Sequence, residues 1–125
     1  MVSTMVSSSP KLTVVTITYN DPDGLRETIN SLRGLEPSPV WLAGGWEHLV
    51  VDSSPAENDV TLATLPPGWP LVHVVAPAEG IYAAQNTGLT RARGKYLWFL
   101  NSGDRLCALE ALERAMAALD AYPDA

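Results

Sequence analysis

The chain has 125 residues, 46% apolar and 18% charged, which fits one globular domain around a single core and excludes a disordered or collagen-like polymer. Eight Lys and Arg against fourteen Asp and Glu leave a net charge of −6, the wrong sign for neutralising nucleic-acid phosphates, so no nucleic acid is expected as a partner. The single cysteine, Cys107, forms no internal disulfide and fits a reducing, cytoplasmic compartment, and no stretch has the length of a membrane span.

Residues 1–10 (MVSTMVSSSP) lack the basic and long apolar regions of a signal peptide and read as a flexible leader to a domain over 11–125. Leu12 to Thr18 (LTVVTIT) is a β-branched run of the kind that forms a strand buried on both faces. Asp21 then stands where a helix N-cap belongs and Pro22 at the first helical position, with Leu25, Ile29 and Leu32 on one face until Gly34. After a Pro- and Gly-rich loop over 35–45, Glu47 to Val51 predicts a second strand ending at Asp52. A short polar helix is expected over Ala56 to Leu65, a third strand over Leu71 to Val75, and a helix over Ile81 to Arg93 with Ile81, Ala84, Gly88 and Ala92 inward. Tyr96 to Leu100 predicts a fourth strand, and a last helix from about Ala108 to Ala121 turns Leu109, Leu112, Met116 and Leu119 inward before Pro123.

Strands alternating with helices predict an α/β fold with a mostly parallel, Rossmann-like sheet. In such sheets ligands sit beyond the carboxyl ends of the strands, near the point where strand order reverses. Three polar clusters fall at those ends: Thr18-Tyr19-Asn20-Asp21, Asp52-Ser53-Ser54 and Asn101-Ser102-Gly103-Asp104. Read singly, Asp52 is equally an Asx turn closing a strand, and Asp104 a turn or cap residue.

In order and spacing, VVTITYND, EHLVVDSS and EGIYAAQNTGLTRARGKYLWFLNSGDRL resemble the N-terminal half of family-2 glycosyltransferases of GT-A type. The similarity is greatest to bacterial members that build cell-surface polysaccharides. The resemblance implies that Thr18, Tyr19 and Asn20 line a base and ribose pocket, with Ser53 and Asn101 beside it. It implies that Asp52 accepts a hydrogen bond from the ring N–H of uracil or thymine, a donor that cytosine lacks. Gly80 and Asn86 would lie near the diphosphate at a helix N-terminus, where anions are favoured. Asp104 would hold Mg²⁺ or Mn²⁺, a hard cation that stabilises the charge gained by the departing nucleoside diphosphate.

The implied donor is a UDP- or dTDP-linked sugar, and the implied acceptor a saccharide or lipid-linked saccharide, met in the cytoplasm or at the inner face of the membrane. The catalytic general base is expected beyond residue 125, which suggests a fragment and keeps open an alternative: a nucleotide-diphosphate-binding module without transferase activity. Three features depart from the pattern of the relatives: Ala83 where GIYDAMN has Asp, Ser53-Ser54-Pro55 where relatives often have a second acid or glycines, and Asn101 where many have Asp. A phosphoacceptor-type signalling domain is disfavoured, because such domains gather acids after the first strand and TYND passes straight into a capping turn. Cys107, His48, His73, Trp41, Trp46 and Trp69 read as packing or surface residues, and Arg91, Arg93 and Lys95 as a solvated helix end.

Overall fold

The computed structural model describes residues 9–122. Four strands, β1 (Leu12–Thr18), β2 (Trp46–Asp52), β3 (Leu71–Val75) and β4 (Tyr96–Phe99), form one parallel sheet in the order β3-β2-β1-β4. The helices α1 (Pro22–Ser31), α2 (Pro55–Ala63), α3 (Ile81–Arg91) and α4 (Leu109–Ala121) alternate with them, and a single 3-10 turn over Arg33–Leu35 extends α1 through Gly34. The expected α/β class and all four strands are found, with ends displaced by one residue in β2 and β4. α2 and α3 each end two residues before the expected Leu65 and Arg93. Pro123 and residues 1–8 of the expected leader lie outside the described residues. Pro10, counted with that leader, is buried, and its carbonyl accepts the Lys95 N–H at 3.1 Å, so the folded chain begins earlier than the composition suggests.

The two faces of the sheet follow from period-two alternation. On one face Leu12, Val14, Trp46 and Val50 pack with Leu25, Ile29 and Leu32 of the α1 stripe and with Leu112 and Met116 of α4. On the other, Val15, Leu49, Val51 and Val74 pack with Ala84 of α3. A Cβ at Gly88 would stand 2.7 Å from Val15 Cγ1, so the glycine is what lets α3 lie this close to β1. The α1 start is as the sequence predicts, with the Asp21 side chain accepting the Gly24 N–H at 3.0 Å and Pro22 in the first turn. Lys11 and Tyr96 both bond the Asp120 carboxylate, at 2.5 and 2.9 Å, which ties α4 to the sheet.

Two buried polar groups lie at the amino-terminal half of the sheet. Burial by itself would raise the Glu47 carboxyl. The Arg93 backbone N–H, the Thr13 hydroxyl (2.7 Å) and the Arg93 guanidinium (3.1 Å) outweigh it and hold the group below the ordinary carboxylate range. His48 is fully buried between Trp46 and Trp69, and burial pushes its imidazole down to about 3. Trp69 has only an N–H to give, so its 3.2 Å bond makes His48 Nδ1 the acceptor, and Nε2–H is left to donate to the Thr16 hydroxyl at 2.8 Å. Of the packing and surface roles expected from sequence, His48 has the packing one.

A neutral His48 gives a signed prediction. The unfolded chain takes up a proton below about pH 6.5 and the folded chain does not until about pH 3, so stability is complete above pH 6.5 and falls on acidification. Urea unfolding between pH 7 and 5 is expected to lose about 1.4 kcal/mol per pH unit once below 6.5. His48→Gln, which does not titrate, is expected to be less stable at pH 7 but to show a shallower slope.

Candidate functional site

The strand order runs outward from β1 to β3 and then returns to β4 on the far side of β1, so the order reverses between β1 and β4. That reversal is the position at which open parallel sheets bind ligands. The β1–β4 pairing continues past the strand itself, with Leu100 N–H donating to Val15 O (2.8 Å) and Ser102 N–H to Ile17 O (3.0 Å). These bonds carry the Asn101–Asp104 turn to the carboxyl edge.

A cavity of about 350 Å³ opens there, at the lower end of small-ligand pockets. Ile17, Ala78, Ile81 and Ala84 form its apolar wall, and Tyr19, Ser53, Gly80 and Asn101 complete the lining. Tyr19 is 58% exposed, so its ring is available for stacking. Ile81, expected in the core, is 50% exposed and serves as the rim, because the first turn of α3 overhangs the sheet edge. Gly80 is the N-cap of α3 at φ +99°, a conformation that side chains disfavour. No side chain caps this helix, so its first N–H groups are free of side-chain acceptors at the end where Gly80 and Ile81 line the cavity. The Asn101 Oδ1 is buried and has no hydrogen-bond donor among the described residues.

Tyr19, Ser53, Gly80 and Asn101 therefore meet as the sequence predicts, and five other expected residues do not join them. Asp52 is fully buried on the α2 face. Its Oδ1 accepts from Ser54 N–H (2.9 Å) and Asn58 Nδ2 (2.7 Å), and its Oδ2 pairs with His73 Nε2 (2.8 Å). Alternation along β2 sends Asp52 and Ser53 to opposite faces, so Ser53 reaches the cavity and Asp52 does not. Direct acceptance of a base N–H by Asp52 does not fit this geometry. Thr18 is buried on the same side as Asp52, outside the cavity lining.

Asn20, in a left-handed turn at φ +52°, donates its N–H to Ser54 Oγ at 2.9 Å. With its amide nitrogen facing Glu57, it also donates to both carboxylate oxygens at 2.9 and 3.1 Å. Asn20 thus fastens the end of β1 to the first turn of α2. Asn86 lies on the exposed side of α3, beyond the first turn. Asp104 is exposed, and its Oδ2 accepts the Asn101 N–H at 3.0 Å, closing the turn. Among the described residues, no three His, Cys, Asp or Glu side chains gather into a metal cage.

A second depression, of about 420 Å³, is lined by Asp21, Asp23, Glu27 and Arg26 among others, and its three carboxylates oppose any anionic ligand. The 350 Å³ cavity carries no acid in its lining.

The sequence profile described as glycosyl transferase family 2 matches residues 13–125. The chain belongs to glycosyl transferase family 2. It is 35% identical over 115 residues to an uncharacterized glycosyltransferase of Mycobacterium tuberculosis, covering 91% of this chain and 42% of that protein. A putative teichuronic acid biosynthesis glycosyltransferase of Bacillus subtilis is 32% identical over 105 residues, covering 81% of this chain and 39% of that protein. The chain thus spans about two fifths of these relatives' length. Among solved structures, a mannosyltransferase of Pyrobaculum calidifontis in complex with GDP-mannose and Mn²⁺ superposes with a TM-score of 0.71 at 25% identity, over 88% of this chain and 32% of that one. The Rossmann-like sheet of this family-2 chain is therefore that of a GT-A glycosyltransferase. No described helix is long and apolar enough to cross a membrane.

With three donors converging on it, Asp52 acts as an organiser. Asp52→Ala is expected to cost about 2–3 kcal/mol in urea unfolding, since it leaves buried donors without an acceptor. Asp52→Asn is expected to leave the ratio of uridine to cytidine diphosphate affinities unchanged in calorimetry. A ratio shifted toward cytidine would restore the base contact.

Proposed function

We propose that residues 11–125 are the donor-binding part of a sugar transferase whose substrate is a nucleoside-diphosphate sugar. The observation that carries this reading is the meeting, at the β1–β4 reversal, of an apolar cavity, an uncapped helix N-terminus and the unpartnered Asn101 acceptor. The three features answer the three parts of such a ligand. Tyr19 offers a face for the base, and Ser53 a hydroxyl at its edge. Asn101 Oδ1 accepts from a ribose hydroxyl or a base N–H. The first N–H groups of α3 take the diphosphate, whose charge suits the positive end of the helix.

A cation fits this donor set in one mode. The exposed Asp104 carboxylate has one oxygen engaged by Asn101 N–H, and a hard ion held by one carboxylate takes its remaining ligands from phosphate and water. Bound there, Mg²⁺ or Mn²⁺ supplies neutralisation of the charge that the nucleoside diphosphate gains as the sugar leaves. The uridine or deoxythymidine preference rested on Asp52, and with Asp52 turned into the α2 layer the choice of base falls to Ser53 and Asn101. The acceptor is proposed to be a saccharide or lipid-linked saccharide of a surface polysaccharide, a role supported by similarity to the teichuronic acid enzyme. Such a reaction belongs in the cytoplasm or at the inner membrane face, and Cys107, a free thiol, suits that compartment.

One observation favours a second reading, a binding module that transfers nothing by itself. The cavity lining holds no carboxylate or imidazole to deprotonate an acceptor hydroxyl.

Calorimetry with UDP, dTDP and GDP is expected to show binding that requires Mn²⁺ or Mg²⁺ and disappears with chelator. Tyr19→Ala is expected to weaken it by about 1–3 kcal/mol, the range of base–aromatic stacking. Failure of all three nucleotides to bind in the presence of metal would overturn the reading, and binding indifferent to Asp104→Ala would remove that residue from the cation. In a radiolabelled-donor assay the 125-residue chain is expected to retain donor and transfer no sugar.

A further inference from the structure

The turn that presents Asn101 and Asp104 is held from one helix. Thr28, on α1, is fully buried, and its hydroxyl touches three backbone groups of that four-residue turn. It lies 2.6 Å from Asp104 O and 3.1 Å from Asn101 O, and it accepts Gly103 N–H at 3.1 Å. A hydroxyl has one proton to give, so the shorter contact to Asp104 O takes most of it and the Asn101 carbonyl shares the remainder. Further ties from the same helix region reinforce it. Gly103 N–H also reaches Gly24 O at 3.0 Å, and Ser102 Oγ reaches Asp21 O and Oδ2 at 3.0 and 3.1 Å. Gly103 stands at φ +93°, so the turn occupies a conformation that its surroundings must enforce. The enforcing element is rigid, because Leu25 and Ile29 anchor α1 in the core on either side of Thr28 in sequence.

We propose that Thr28 is a positioning residue for donor binding: its hydroxyl sets the Asn101–Asp104 turn so that the Asn101 amide oxygen and the Asp104 carboxylate address the same bound nucleoside diphosphate and its cation. The inference rests on the donor-site reading above and adds to it a residue that touches neither ligand nor metal. A group held by a second layer of bonds loses affinity when that layer is removed even though every contact atom remains. In sequence, Thr28 is merely the residue before Ile29 on α1.

The test compares Thr28→Val, which keeps shape and removes the hydroxyl, with Thr28→Ser, which restores it. Thr16→Val, which breaks the buried bond to His48, is the control for loss of stability alone. Each variant is titrated with UDP or GDP over a range of Mn²⁺ concentrations, and its unfolding midpoint is measured. Thr28→Val is expected to bind about tenfold more weakly and to need more Mn²⁺ for half-saturation, with Thr28→Ser close to wild type. Thr16→Val is expected to lose stability while keeping both values. Should Thr28→Val not fold, Ser102→Ala, which removes the same turn's ties to Asp21 at the start of α1, is expected to show the same change at about threefold. Unchanged affinity and Mn²⁺ requirement in the folded Thr28 or Ser102 variant, or an equal shift in Thr16→Val, overturns the inference while wild-type binding stands. Absence of binding by the wild type overturns the donor-site reading and this inference together.

Discussion

Everything in this fold depends on β1 having parallel neighbours on both sides and helices on both faces. A strand so enclosed has little water to offer its side chains, so a polar group on it is costly unless it finds a partner in the protein, and the Thr18 hydroxyl at the strand's end is buried without one among the described residues. Thr13 finds Glu47, and Thr16 finds His48. Only past the last strand residues does the enclosure open. Because all strands run the same way, the openings of β1, β2 and β4 fall on one edge, and chemistry is confined there before any residue of the site is specified.

At that edge the polar residues divide into two layers with different tasks. Tyr19, Ser53 and Asn101 face the cavity. Behind them, Asp52 gathers Ser54, Asn58 and His73, Asn20 binds Ser54 and Glu57, and Thr28 grips the last turn. The second layer is as polar as the first, and several of its members are fully buried, so their bonds are strong and costly to leave unmade. Such a layer fixes from behind the shape of a cavity whose own wall is largely apolar.

This division explains what could be read from the sequence and what could not. Strand and helix positions were legible because β-branched runs, the Asp21-Pro22 start and the spacing of Leu25, Ile29 and Leu32 each encode local geometry. The edge of the sheet that carries the site was legible too, since it follows from strand direction alone. Which polar residue faces the ligand was not, because it turns on a single step of alternation at a strand end: Asp52 and Ser53 are adjacent in sequence and opposite in space. Alternation counted from the buried Val50 through β2 would have placed Asp52 with Val50, on the α1 and α2 side. The His73–Asp52 pair and the Thr28 contacts join residues 21 and more than 70 positions apart, and no short-range signal announces them. Ile81 was misjudged for another reason, since the inward stripe of α3 meets the core only from Ala84 onward.

β2 carries an acid near each end, Glu47 toward the α3 face and Asp52 toward the α2 face, with four residues of sequence between them. Each has its own partners, a buried one and a more exposed cationic or imidazole group: Thr13 and Arg93 for one, Asn58 and His73 for the other. A slip of β2 by one residue against its neighbours would exchange the two faces, carrying both carboxylates into apolar surroundings at once. The pair therefore works as a two-point lock on alignment. An all-apolar strand in the same place could slide among several nearly equivalent registers, whereas this one is correct at both ends or at neither.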